Sequence, residues 1–148
     1  MSNSKPAIAL TEESPAVQSH LSIEQQVIQR MAGNSTSCKA SCITLVSAIL
    51  VVVADKGKPN LTMLAFPAAF MFLALDAYYL ALERMFRASY RQFISRLHSK
   101  ELTTEDLFVI TPTGELFRSM LESLISFSIL PFYVTLFFMI AIIRWLVV

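Results

Sequence analysis

The segment LTMLAFPAAFMFLALDAYYLAL, residues 61–82, decides the fold of this chain, because Asp76 is its single charged residue. A transmembrane helix needs about 20 predominantly apolar residues, and a helix of this length would measure about 33 Å. No stop signal follows, since the helical pattern continues through ERMFRASYRQFISRLH to about His98. The segment therefore predicts a membrane span whose helix extends far beyond the bilayer.

Two further apolar blocks flank this segment, one at residues 37–54 and one at 124–143. A polar turn at 55–60 separates the first two spans, and Pro131 is expected to break the third. The chain is 55% hydrophobic and only 16% charged, whereas soluble domains carry about 25% charged residues. The expected fold is all-α, an integral membrane protein with three transmembrane helices.

The polar N-terminal region divides into a tail and a short helix. Residues 1–18 are rich in Ser, Pro and Glu, which is typical of a disordered tail, and 19–148 then form a single helical membrane domain. A capping box at Ser22–Gln25 predicts the start of a short amphipathic helix that ends at a break near Gly33. We expect this helix to pack against the aromatic face of the second helix's cytoplasmic extension, which comprises Phe86, Tyr90, Phe93, Ile94 and Leu97. Alternatively, that extension lies against lipid headgroups.

Basic residues near the spans predict the orientation. Only Lys56 and Lys58 lie between spans one and two. The larger set lies between spans two and three and comprises Arg84, Arg87, Arg91, Arg96, Lys100 and Arg118. The positive-inside rule then gives a cytoplasmic N-terminus and an external C-terminus. Because residues 1–37 contain no apolar signal core, we expect the first span to be an uncleaved anchor.

Asp76 is the clearest functional signal within the spans. A charge inside a bilayer costs about 2.5 kcal/mol or more unless it is paired or hydrated. One face of span one carries small and polar residues, among them Ser41 and Thr44 with Ser47 at its border. These residues either line a water-filled path together with Asp76, or they pack against span two and bond to Asp76. Glu83 lies seven residues after Asp76 on the same face.

The second helix also carries three arginines on one face, Arg84, Arg87 and Arg91, which are candidates for phosphate or partner binding. Arg87 is also expected to pair with Glu83. Cys38 and Cys42 share a helix face and are expected to be packing residues. The sequence has no phosphate-binding glycine loop, nucleophile elbow or metal-ligand cluster, so we expect no enzyme, cofactor or metal site. The net charge of +1 argues against nucleic-acid binding.

Two stretches carry a resemblance to a known family. One runs from His20 through RMAGNS, residues 30–35, and the other is LDAYYLALER, residues 75–84, continued by FRASY at 86–90. Over about residues 20–98 the layout resembles small bacterial SLATT-like membrane proteins, which have a membrane hairpin and a long helical cytoplasmic extension. The resemblance implies a bacterial inner-membrane effector of anti-phage defence. This chain departs from that layout by its third span.

Two functions follow as hypotheses. The first is a homo-oligomeric effector that permeabilises or depolarises the membrane when a cytoplasmic sensor protein or a nucleotide signal triggers it. The second is a non-enzymatic adaptor that anchors a cytoplasmic partner through the extension. Dye leakage or depolarisation would separate the two.

Overall fold

A computed structural model describes residues 10–147, and every regular element in that range is helical. Four α-helices, Pro15–Lys56 (α1), Ala65–His98 (α2), Leu116–Leu124 (α3) and Leu130–Val147 (α4), are joined by two short 3₁₀ helices, Pro59–Leu64 and Thr104–Asp106. Residues 1–9 of the predicted tail lie outside the described range. The end of that predicted tail differs from the structure, because α1 already begins at Pro15.

The first helix is a single element of 42 residues, so the predicted amphipathic helix and first span are continuous. The predicted start at Ser22 is wrong, because the helix begins at Pro15, whose missing N–H suits a first turn. The predicted break at Gly33 is also wrong. A glycine costs a helix only about 1 kcal/mol, and burial of one face of α1 from Val17 to Val53 against its neighbours outweighs that cost.

The second helix returns antiparallel to α1 and ends at His98, as predicted. Gly57 closes α1 in the left-handed conformation at φ 57°. Pro67 lies in the first turn of α2, where no backbone donor is lost. Beyond the level of Asp76, residues 83–98 of α2 pack against residues 15–34 of α1, and we call these two stretches together the extension. The aromatic face of α2 meets α1 there as predicted, since Tyr90 bonds to Gln25 and Phe93 stacks on His20.

The third apolar block begins with a turn, and its helix starts later than predicted. The span predicted at 124–143 starts with the last residue of α3 and a turn at 125–129, so its helix, α4, begins only at Leu130. Pro131 is the second residue of α4 and therefore begins that helix rather than breaking it. Helix α4 would measure about 27 Å and packs on the hairpin through its buried face, which comprises Tyr133, Leu136 and Ile140.

Helices α1 and α2 are each long and apolar enough to cross a membrane, and α4 is a shorter apolar helix. Residues 40–54, 61–75 and 130–143 contain no charged side chain, and we call this part of the bundle the apolar belt. Large apolar side chains cover its outer surface, including Ile43, Val51, Phe70, Met71, Val134 and Phe138. Residues between α3 and α4 continue this surface, because Ile125 is 76% and Phe127 is 94% exposed.

Candidate functional site

An ion pair lies where the apolar belt meets the rest of the bundle. Lys39 Nζ of α1 lies 2.6 Å from Asp76 Oδ2 and 2.9 Å from Oδ1 of α2. The Ser35 hydroxyl donates a further hydrogen bond to Asp76 Oδ1. Asp76 is fully buried, whereas the Lys39 side chain is 18% exposed. The charge predicted to lie within a span is therefore compensated inside one chain.

A third helix closes this site. Tyr133 of α4 is 2% exposed, and its buried hydroxyl lies near the Asp76 carboxylate but forms no hydrogen bond within the described residues. Cys38 and Cys42 of α1 line the same region as free, buried thiols, in agreement with their expected packing role. We call Ser35, Lys39, Asp76 and Tyr133 the polar cluster. It joins three helices at one level of the bundle.

The polar cluster has no net charge, and this limits the chemistry that it can perform. Lys39 and Asp76 cancel each other's charge, and a carboxylate already bound by an ammonium and a hydroxyl is a poor general base. Breaking such a buried pair by removal of one member costs about 3–5 kcal/mol, because the other charge stays uncompensated. The arrangement favours a structural clamp between α1 and α2 over a reactive centre.

The polar residues of span one do not meet Asp76. Ser41, Thr44 and Ser47 are exposed on the outer surface of α1, away from its buried face at Cys42 and Val46. The Thr44 hydroxyl donates instead to the carbonyl of Ala40 in its own helix, at 3.0 Å. The hydrogen bonds that we considered between this face and Asp76 do not form, because Ser35 and Lys39 occupy that place.

The charged residues of α2 lie in the extension. Glu83 accepts from Arg87 at 2.8 Å, as the spacing predicts. Arg87 and Arg91 line a groove between α1 and α2, whereas Arg84 is exposed outside that groove. Two of the three arginines that share this face of α2 therefore line the groove, and Arg84 lies beyond it.

A second buried polar pair was missed from the sequence. His20 and Glu24 are 2% and 1% exposed, and His20 Nε2 lies 3.6 Å from Glu24 Oε2. The backbone N–H of Phe108 donates to His20 Nδ1 at 2.9 Å, so this nitrogen carries no proton. Burial lowers the pKa of His20, and burial also raises the pKa of Glu24 against the opposing effect of a hydrogen bond with Ser89.

This pair fastens the connector, residues 99–115, to the extension. Phe108 adopts a left-handed conformation at φ 65°, which a non-glycine residue rarely does without tertiary support. Arg96 holds Asp106 through two hydrogen bonds of 2.8 and 2.9 Å. Hydrogen bonds from the Thr103 backbone and from Arg96 lower the pKa of Asp106 to about 2. The i, i+4 spacing of His20 and Glu24 was visible in the sequence, but their connector partner was not.

Within residues 10–147, no cluster of three or more His, Cys, Asp or Glu side chains could hold a metal ion. Comparison of the chain with protein-family models, curated proteins and solved structures gives no significant match. The resemblance in layout described above therefore stays a prediction.

Proposed function

We propose that this chain is an integral membrane protein that crosses the bilayer three times, through α1, α2 and α4. Support comes from the apolar belt, whose outer surface carries large side chains such as Phe70 and Phe138 at 57% and 64% exposure. Contiguous apolar surface of this kind marks contact with a membrane or another protein. Along α1 the belt runs from Lys39 to Asp55, about 24 Å, which approaches the hydrocarbon thickness of about 30 Å.

In this placement the extension, the connector and the N-terminus lie in the cytoplasm of a bacterial cell, at its inner membrane. The charges fit the positive-inside rule, because the extension and connector side carries most of the basic residues. Trp145 suits the opposite interface, where α4 ends beside Arg144. The polar cluster then lies in the cytoplasmic leaflet, where Lys39 neutralises Asp76.

The function that we propose within the membrane is permeabilisation by a homo-oligomer. One observation carries it: the polar face of α1 is exposed on the outside of the bundle, with Ser41, Thr44 and Ala48 in the apolar belt, Ser47 at the border of the face and Ser37 just before the belt. In a single chain these side chains would face lipid, where the Thr44 hydroxyl bonds only to the carbonyl of Ala40 in its own helix. Small and hydroxyl-bearing residues let transmembrane helices approach closely, and hydroxyls also stabilise water in a pore.

Asp76 has a structural role in this proposal, which is one of the two interpretations that the sequence left open. The carboxylate is bound within each chain, so the path between copies is lined by hydroxyls and not by Asp76. The Lys39–Asp76 pair keeps each three-helix unit together while copies assemble through α1. A path lined by neutral hydroxyls predicts weak ion selectivity, since selective cation channels commonly use acidic rings.

Cysteine cross-linking tests the assembly. The native thiols are buried, so Cys38→Ser and Cys42→Ser variants provide a background for single surface cysteines. Ser41→Cys should cross-link between copies in membranes. Ile43→Cys is the matched control, because Ile43 is 47% exposed in the same turn of α1 but on another face. Equal cross-linking of both variants, or of neither, would contradict an interface through the polar face.

Dye release from vesicles tests the permeabilisation. A Ser41→Leu and Thr44→Leu double variant removes the hydroxyls and fills the space that close helix approach needs. It should lose most of the leakage at equal membrane abundance, whereas Ile43→Leu should leak like the wild type. Undiminished leakage in the double variant would refute the proposal. If the wild type is tight in vesicles, protection of cells against phage infection and depolarisation after infection remain the decisive readouts for a triggered effector.

A second candidate is an adaptor that anchors a cytoplasmic partner. The observation that favours it is the length of the extension, whose helices continue about 33 Å beyond Asp76 to the end of α2 at His98. Two results together would favour the adaptor. A variant that no longer permeabilises membranes would keep its biological effect, and a partner would co-purify with the protein only when the extension is intact.

A further inference from the structure

A groove with a volume of about 350 Å³ lies on the surface of the extension, between α1 and α2. Its walls are Gln25, Ile28 and Gln29 from α1 and Arg87, Tyr90 and Arg91 from α2. The antiparallel packing of the two helices brings these residues together across about 65 positions of sequence, as the hydrogen bond from Gln25 to the Tyr90 hydroxyl at 3.1 Å shows. The groove is open to solvent and does not include any residue of the polar cluster.

Positive charge in the groove is only partly compensated. Arg87 is bound to Glu83, which fixes its guanidinium and leaves further N–H groups free to donate. Among residues 10–147, no carboxylate lies within 4.0 Å of the exposed Arg91 guanidinium. A cavity with one held and one unpaired arginine has a net positive charge and therefore favours an anion.

The other residues that line the groove indicate which class of anion it binds. Gln25 and Gln29 offer amide groups beside the arginines, and the Tyr90 ring with Ile28 forms an apolar wall. Arginine binds phosphate oxygens through two parallel hydrogen bonds. A carboxylate has only two oxygens, so a single guanidinium is enough to bind it. Two arginines one turn apart suit the larger tetrahedral anion with its several oxygens.

We propose that this groove binds a phosphate-bearing ligand, with the phosphate on Arg87 and Arg91 and the rest of the molecule against Ile28 and Tyr90. The proposal goes beyond permeabilisation and does not depend on it. The phosphate has two sources, an acidic lipid headgroup or a soluble phosphate compound. Arg87 lies about 17 Å past Asp76 along α2, so a headgroup would enter the groove from its membrane end.

The experiment uses full-length protein and two probes. Inorganic pyrophosphate is titrated onto protein in neutral detergent, with sodium chloride at equal ionic strength as the blank, and binding is measured by calorimetry. Separately, nanodiscs of phosphatidylcholine with and without phosphatidylglycerol are compared by native mass spectrometry for retained lipid. The test variant is Arg91→Gln, and the matched control is Arg84→Gln, an exposed arginine of the same helix outside the groove.

We expect the wild type and Arg84→Gln to bind equally and Arg91→Gln to bind about tenfold more weakly, a loss of about 1.4 kcal/mol, because the charge-assisted hydrogen bonds of Arg91 to the phosphate are gone. Gln29→Leu, which keeps all charges but narrows the groove, should also weaken binding. Retention of pyrophosphate identifies a soluble ligand, and retention of phosphatidylglycerol alone identifies a lipid; either result supports the site. No binding of either probe, or equal losses in Arg84→Gln and Arg91→Gln, would overturn it. A failed leakage assay would leave this result unaffected.

Discussion

Replacement of Lys39 by methionine should destabilise the bundle more than replacement of Asp76 by asparagine. The two residues form one ion pair, but their surroundings differ, because Asp76 is fully buried and the Lys39 side chain is 18% exposed. Methionine keeps most of the volume of the lysine stem and removes its charge. Asp76 then stays buried with the Ser35 hydroxyl as its one remaining hydrogen-bond donor from the pair's own helices.

The expected loss of stability in each variant depends on which of the two charges stays without its partner. Lys39→Met leaves a buried carboxylate without its cation, and breaking such a pair costs about 3–5 kcal/mol. Asp76→Asn leaves an ammonium on a flexible stem that extends toward water, so the cost falls to about 1–2 kcal/mol. The double variant has no uncompensated charge, and it should be more stable than Lys39→Met alone by about 2 kcal/mol.

The free energy of unfolding is measured in mixed micelles by titration with sodium dodecyl sulfate, with loss of helical circular dichroism as the signal. Lys56→Met serves as the control, because Lys56 ends α1 and its side chain is 64% exposed. That change should stay within about 0.5 kcal/mol of the wild type. A Lys39→Met protein that is as stable as Lys56→Met, or a double variant that is less stable than either single one, would refute the ion-pair argument.

Three further predictions concern the extension and the topology. Burial lowers the folded-state pKa of His20, so its contribution to stability is present above about pH 6.5 and is lost as the pH falls below that value. The thermal stability of the wild type should therefore fall more between pH 7.5 and pH 5.5 than that of His20→Gln; Glu24, whose raised pKa acts in the opposite direction, is present in both proteins. Asp106→Asn should speed hydrogen exchange in the connector, because Asp106 accepts bonds from both Arg96 and Thr103, and unchanged exchange would contradict this role. Reporters fused after residue 99 and after residue 148 should label opposite sides of the membrane, and labelling on one side would exclude a crossing by α4.

Sequence patterns predicted the elements that depend on local composition. The long uncharged runs of the sequence predicted the apolar parts of α1, α2 and α4. Such a run can be recognised without knowing which helix it packs against. The absence of any stop signal after residue 82 predicted an end of α2 near His98, and the i, i+4 pair Glu83–Arg87 forms as its spacing predicted. These features depend on helical geometry alone, which any helix of this sequence would share.

Tertiary structure decided the features that depend on which faces meet. The sequence predicts breaks at Gly33 and Pro131, yet packing along α2 keeps α1 continuous, and Pro131 starts a helix after a turn that the sequence does not predict. The partner of Asp76 depended on the antiparallel register of α1 and α2, which brings Lys39 beside it and turns Ser41 away. His20 met Phe108 for the same reason, across 88 positions of sequence. Periodicity identifies the faces of one helix, but only packing fixes which face of its neighbour each one contacts.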